Sequence, residues 1–133
     1  MAASINALIN FLVKTHLWAC IAIGLLGSAA AAGESPRFFG EVYPLFQRLG
    51  CSQFACHGGI HGQGTFKLSG FSRRPDADYR AIRQHCDLNS PLDSLLLLKP
   101  TGNLNHGGGQ VLRVDSTEYL QLAAWIKSGA KQD

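Results

Sequence analysis

The sequence predicts an all-α domain of three or four short helices joined by ordered loops, with no convincing sheet. Apolar residues recur at helical spacing in the segments that follow Ser35-Pro36 and Asp115. Gly50 and Gly129 stand where two of these helices are expected to end. A length of 133 residues is that of one small domain.

The first 32 residues have the pattern of a secretory signal peptide. They carry a single charge at Lys14, an apolar run over 17–26 and small residues up to Ala32. We therefore expect cleavage before Gly33, which makes 1–32 the signal peptide and 33–133 the domain. The apolar run is short for a membrane span, so an uncleaved N-terminal anchor is the lesser alternative, and the membrane is involved only through such a segment.

Export changes the composition of the mature chain. Cleavage removes Met1, the only methionine, and Cys20, which leaves three cysteines in an oxidising compartment. An odd number of cysteines there requires an explanation. The formal charge of +3 is weak and unclustered, so nucleic acid is not expected as a partner.

The first helix is expected to begin at Ser35 as N-cap with Pro36 behind it and to end at Gly50. Pro44 removes one amide and should kink or delay this helix. Its apolar face comprises Phe39, Val42, Tyr43, Phe46 and Leu49.

Three further helical segments follow, separated by glycine-rich loops over 58–75 and 101–114. Asp76 is expected to cap the second, and Ser90 to begin the third ahead of four consecutive leucines, 95–98, predicted to be buried on most sides. The last helix should begin with Asp115 as cap. Its inner face is predicted as Tyr119, Leu122, Ala123 and Ile126.

The chemistry is concentrated in the run Cys51-Ser52-Gln53-Phe54-Ala55-Cys56-His57. Two cysteines with a histidine directly after the second form the end of the c-type haem attachment signal, in which both thiols bond the haem vinyl groups and the imidazole binds iron. The usual spacer has two residues, and here it has four. A zinc site built from Cys51, Cys56 and His57, or a Cys51–Cys56 disulfide without cofactor, are the alternatives.

The second axial ligand is left open by the residues themselves. Methionine is excluded because the mature chain has none. Cys86 is a candidate because iron would protect a leftover thiol from oxidation. His106 is the other, since it stands in the loop before the last helix and is followed by three glycines that permit close approach of the backbone. His61 and His85 are lesser candidates.

The chain resembles the cytochrome c-type domains of planctomycete bacteria over nearly the whole mature length. The matching stretches are Phe39-x-x-Val42-x-Pro44-x-Phe46, Gly50-Cys51-x-x-x-x-Cys56-His57-Gly58, Gly64-x-Phe66-x-Leu68-Ser69, Asp78-Tyr79, Ser94-Leu95-Leu96-Leu97-Leu98-Lys99-Pro100, His106-Gly107-Gly108-Gly109 and Tyr119-x-x-Leu122-x-x-Trp125-Ile126-x-x-Gly129-Ala130.

This resemblance implies a class I cytochrome c architecture around one covalently bound haem c, with the four-residue spacer tolerated and a proline within the first helix. The chain is also similar to the small soluble monohaem cytochromes of anammox bacteria, some of which pair histidine with cysteine on iron. The implied compartment is the periplasm or an equivalent lumen, which is the anammoxosome in an anammox bacterium.

The function expected from the sequence is that of a low-potential electron carrier acting on redox partner proteins, and not of an enzyme. Either thiolate or imidazole opposite His57 gives a lower potential than methionine does. One alternative is a haem protein that binds or senses NO or CO. Another is a haem subunit that pairs with a second small cytochrome as a homodimer or heterodimer.

Overall fold

A computed structural model of the chain describes residues 33–133, and the predicted signal peptide at 1–32 lies outside the described residues. The described part contains helices and one isolated backbone bridge but no strand, which confirms the all-α class. Residues Glu34–Asp133 form one compact unit. Within this part of the chain, no helix has the length and apolarity that crossing a bilayer requires.

The first helix begins as a π-helical turn, Phe38–Val42, and continues as α1, Tyr43–Arg48. The predicted start at Ser35 was wrong, because Arg37 is the N-cap. Pro44 explains the wide turn: a proline has no amide and its ring would collide with the carbonyl four residues earlier. The turn before it therefore closes five residues back, where the Tyr43 amide donates to the Phe38 carbonyl.

A 3₁₀ turn at Gly70–Ser72 leads into α2, Pro75–Arg83. Asp76 does not cap this helix as predicted, since Arg74 occupies the N-cap and Asp76 lies in the first turn. Pro75 determines the start, because proline is well accommodated at the first helical position.

The third predicted helix is divided into a 3₁₀ turn, Pro91–Asp93, and a single helical turn, α3, Leu95–Leu98. Ser90 is the N-cap of the 3₁₀ turn, as predicted, but its side chain makes no capping bond. The division occurs at Ser94, whose backbone is extended. Burial on most sides was also wrong, because only Leu96 and Leu97 of the four leucines are buried.

The last helix, α4, spans Thr117–Lys127. Its N-cap is Ser116, whose hydroxyl accepts from the Tyr119 amide at 3.2 Å, and not Asp115 as predicted. Asp115 precedes it in a left-handed conformation with φ of 63°. Gly129 follows the helix with φ of 99°, as expected of a C-terminal glycine.

The core lies between the first helix, α2, α3 and α4. Trp125 is 1% exposed and its ring centre lies 5.4 Å from that of Phe38, so it is an ordinary core aromatic. Tyr119 is only partly buried at the edge of the core. The buried apolar side chains are Phe38, Val42, Tyr43, Leu45, Phe46, Leu68, Ile82, Leu96, Leu97, Leu112, Leu122, Ala123, Trp125, Ile126 and Ala130.

The loop after α1 folds back on itself and pairs with the segment that follows it. The Leu68 amide donates to the His57 carbonyl at 2.8 Å, and the Gly59 amide donates to the Leu68 carbonyl at 2.7 Å. These two bonds form a parallel bridge between Gly58 and Leu68. Gly58 is buried where the loop crosses itself, and a Cβ there would overlap the Ser52 carbonyl oxygen and lie 2.8 Å from the Gln53 carbonyl carbon.

We expect Gly58→Ala to lower the free energy of unfolding by about 1–3 kcal/mol, because backbone atoms surround the added methyl group and cannot move aside at low cost. Gly107→Ala is the matched control, since no atom lies within 4 Å of its Cβ position. Chemical denaturation of both variants measures the difference. Equal stability of the two variants would contradict the crossing described here.

Candidate functional site

The cysteine-rich run directly follows α1 and is folded into two successive turns. The Gln53 amide donates to Gly50 O at 3.1 Å, and the Cys56 amide donates to Gln53 O at 2.9 Å. The His57 amide then reaches back to Cys51 O at 3.0 Å. The four-residue spacer is therefore coiled, which keeps the two cysteines and the histidine together in one loop.

Cys51 and Cys56 are free thiols, each half-buried. Burial raises the pKa of Cys51 to about 11, and the neighbouring Cys56 adds to the increase because two thiolates repel each other. Cys51 packs against the edge of the core.

The ring of His57 is oriented by backbone carbonyls. Its Nδ1 lies 3.1 Å from Gln63 O and 3.1 Å from Phe66 O. A carbonyl only accepts, so Nδ1 carries the proton and the lone pair of the neutral ring is on Nε2. Metal-binding histidines commonly have this arrangement, in which one ring nitrogen donates a hydrogen bond to the protein and the other nitrogen binds the metal.

His106 has the same arrangement in the loop before α4. Its Nδ1 lies 2.8 Å from Gly109 O, and the Gly109 amide donates to His106 O at 2.9 Å. The ring is thus fixed within its own turn with Nε2 as the acceptor. Gly108 lies beneath the ring, where a Cβ would come within 3.1 Å of the His106 Cε1 atom.

The structure brings these two histidines together across the site. Their ring centres are 6.1 Å apart and their planes differ by 18°. Ordinary offset aromatic pairs share this spacing. In this pair, each ring also has its Nδ1 held by a backbone carbonyl, so both Nε2 atoms are acceptors.

Cys86, the other candidate ligand, follows the end of α2. Its thiol donates to the Ile82 carbonyl at 3.6 Å, a bond within its own helical turn. Burial raises the pKa of Cys86 to about 12, although the nearby Arg83 guanidinium acts in the opposite direction. Cys86 also lines an open cavity of about 430 Å³ formed by residues 84–89 with Asp93 and Leu95.

The two lesser ligand candidates, His61 and His85, differ in burial. His61 is exposed in the loop, as a solvated histidine would be. His85 is half-buried, and its Nδ1 donates to the Ala81 carbonyl at 2.9 Å. The ring of Phe66 lies between His57 and His85, with ring centres at 4.9 and 4.7 Å respectively.

Sequence reasoning missed the residues that orient His57. The carbonyls of Gln63 and Phe66 do so, and the only signal was the glycine-rich pattern around Gly64-x-Phe66-x-Leu68. Within residues 33–133, no group of three or more His, Cys, Asp or Glu side chains is gathered closely enough to hold a metal ion.

Comparisons of the chain with protein-family models, with curated proteins and with solved structures found no match.

We expect the alkylation of Cys86 by iodoacetamide in the folded protein to rise about tenfold per pH unit from pH 7 to pH 10, because only the thiolate reacts and the pKa is raised to about 12. Peptide mass spectrometry measures the rate. The denatured protein, in which the thiol has its ordinary pKa, is the control and should level off near pH 9. If the alkylation rate of the folded protein also levels off near pH 9, the pKa of Cys86 is not raised by folding.

The raised pKa of the Cys86 thiol also makes the stability of the fold depend on pH. The folded state keeps the thiol proton to a higher pH than the unfolded chain does, so the free energy of unfolding falls as the pH rises above about 9.

Proposed function

We propose that the mature chain is an exported, low-potential monohaem c-type cytochrome that transfers electrons. Cys51 and Cys56 hold the haem through thioethers, His57 is the proximal ligand, and His106 is the distal ligand. The observation that carries this proposal is the pair of near-parallel imidazoles 6.1 Å apart, one of them in the cysteine motif.

The residues of the site fit a haem in three respects. The motif loop presents two free thiols and a histidine from consecutive turns. Both His57 and His106 have their Nδ1 bound to carbonyls, which leaves both Nε2 atoms as the ligating nitrogens. Glycines flank both histidines, and Gly58 and Gly108 allow backbone to approach where a side chain would intrude.

A bound haem supplies a one-electron iron couple, and the chain's residues determine how that couple behaves. The backbone carbonyl of Phe66 accepts from His57 Nδ1 and makes the ring a better donor to a metal. Gly109 O does the same for His106. Electron-rich imidazoles favour the oxidised iron, so the potential is low compared with a methionine-ligated haem.

The two distal candidates are distinguished by their surroundings. His106 already presents the tautomer that binds a metal. Cys86 holds its proton, since burial raises its pKa to about 12, and its sulfur donates to the Ile82 carbonyl of the preceding helix α2. Ligation by Cys86 requires loss of that proton and of that hydrogen bond, whereas ligation by His106 requires neither.

We expect the protein, expressed with an export signal and the c-type maturation system, to be coloured and to keep its pigment in acidified organic solvent, because thioether bonds survive that treatment. Pyridine haemochrome spectra measure the haem content and show whether both vinyl groups have reacted. Cys51→Ala should leave one vinyl group unreacted, which shifts the absorption band. Cys86→Ala is the matched control and should match wild type. A colourless wild-type protein would refute the proposed function.

We expect His106→Ala to abolish the low-spin signal in electron paramagnetic resonance of the oxidised protein, because the iron loses its second strong ligand. The reduced variant should then bind CO. Cys86→Ala should leave the wild-type signal unchanged.

His85→Ala is the matched control for this measurement, since His85 is also half-buried with its Nδ1 bound to a carbonyl. If Cys86→Ala changes the signal and His106→Ala does not, the distal ligand is the thiolate and the imidazole assignment is wrong.

A further inference from the structure

A buried carboxylate, that of Asp78, is joined by hydrogen bonds to Ser69, close in the chain to the residues that orient His57. Asp78, on α2, is 2% exposed. Within residues 33–133, no lysine or arginine forms an ion pair with it. A buried charge without a counter-ion is expensive unless hydrogen bonds satisfy it, so what Asp78 binds indicates what it is for.

Three donors converge on this carboxylate. The Ser69 amide donates to Oδ1 at 2.5 Å, and the Ser69 hydroxyl donates to Oδ2 at 2.6 Å. The Tyr43 hydroxyl donates to Oδ2 at 2.5 Å from α1. Burial, together with the adjacent carboxylate, raises the pKa of Tyr43 to about 12, so the phenol keeps the proton it donates.

Ser69 is the last residue of the segment that orients the proximal histidine. One residue before it, Leu68 bonds the backbone of His57 and Gly59 from both sides. Three residues before it, the Phe66 carbonyl accepts from His57 Nδ1. The segment 66–69 is thus held to His57 at one end and to Asp78 at the other.

A single parallel bridge has little stability alone, since two short paired segments are marginal in water. The bridge between Gly58 and Leu68 therefore needs further hydrogen bonds from residues outside the two paired segments. The Asp78–Ser69 pair supplies two charge-assisted hydrogen bonds at its end, and such bonds are about twice as strong as neutral ones.

We propose that Asp78 is a positioning residue for His57, holding the 66–69 segment so that the Phe66 carbonyl fixes the tautomer and orientation of the imidazole. This inference rests on the proposed function, in which His57 is an iron ligand. Asp78 touches neither the ligand nor the cofactor and acts through Ser69.

The substitution that tests this role is Asp78→Asn, which keeps the shape of the side chain. An amide offers one acceptor oxygen where the carboxylate offers two, so one of the three donors loses its partner. The 66–69 segment loosens and the bond from His57 Nδ1 to Phe66 O weakens, so that Gln63 O, outside this segment, is the remaining acceptor and the ring becomes a poorer donor. The midpoint potential should therefore rise, and the low-spin resonance signal should shift and broaden relative to wild type.

Ser69→Ala is the second variant if Asp78→Asn does not fold. It removes the hydroxyl bond to Asp78 and the bond that this hydroxyl accepts from the Arg74 amide at 2.9 Å, but it keeps the bond from the Ser69 amide. Thr101→Val is the matched control for loss of a buried hydrogen bond. Thr101 is 6% exposed, and its hydroxyl donates to the Leu97 carbonyl at 2.6 Å. It should lower the unfolding temperature while leaving the potential and the resonance signal at their wild-type values.

Amide hydrogen exchange at Gly59 and Leu68 gives a readout that does not depend on the haem. Asp78→Asn, or Ser69→Ala, should accelerate exchange at these two amides more than Thr101→Val does.

The outcomes separate the two proposals. A wild-type protein without covalent haem refutes the proposed function, while the exchange measurement still reports on the hydrogen bonds between Asp78 and Ser69. A haem-loaded Asp78→Asn or Ser69→Ala variant with wild-type potential, signal and exchange overturns the role given to Asp78.

Discussion

The backbone pairing between residues 57–59 and 66–68 is the constraint on which the candidate site depends. Leu68 bonds the backbone on both sides of Gly58, and this places the Phe66 carbonyl within reach of the His57 ring. The ring orientation is therefore set by main-chain geometry and not by a side chain that could change rotamer. A ring held in this way has its orientation fixed by the fold itself, as the proposed role of His57 requires.

The pairing explains why the loops are rich in glycine. The motif loop crosses its own backbone at Gly58, and a second crossing occurs at Gly62, where a Cβ would lie 2.6 Å from the His57 carbonyl carbon. Both contacts are with main-chain atoms, which cannot rotate away. The residues between Cys51 and Gly62 thus form a tight coil in which the backbone that carries the thiols and the imidazole has little freedom. In the proposed function, this restriction lowers the entropy that cofactor binding would cost.

The sequence predicted what depends on local pattern. Helical spacing located the first, second and last helices, and Gly129 marked the end of the last one. Apart from the burial of the four leucines and the division of the third helix, the errors fall at helix starts, where neighbouring residues compete. Ser116 caps α4 because its hydroxyl reaches the Tyr119 amide, while Asp115 one residue earlier adopts a left-handed turn.

What the sequence left open was decided by long-range geometry. His57 and His106 are 49 residues apart in the chain, and no local pattern shows that their rings become near-parallel neighbours. In the sequence, Asp78 drew attention only as one of the residues that carry the resemblance. Its proposed role depends on its hydrogen bonds with Ser69, which the structure shows. Contacts of this kind depend on how loops and helices pack, which spacing and composition do not encode.

The leftover cysteine can now be explained without iron. A free thiol in an oxidising compartment is vulnerable because its thiolate attacks oxidants and disulfides. Burial beside Ile82 raises the pKa of Cys86 to about 12, so the reactive form is scarce at neutral pH. The thiol then survives as a half-buried packing residue at the edge of the core. The argument that made Cys86 a candidate ligand was that only a metal would protect it. Burial offers the same protection, which favours the proposal in which His106, with its ring held by the Gly109 carbonyl, is the distal ligand.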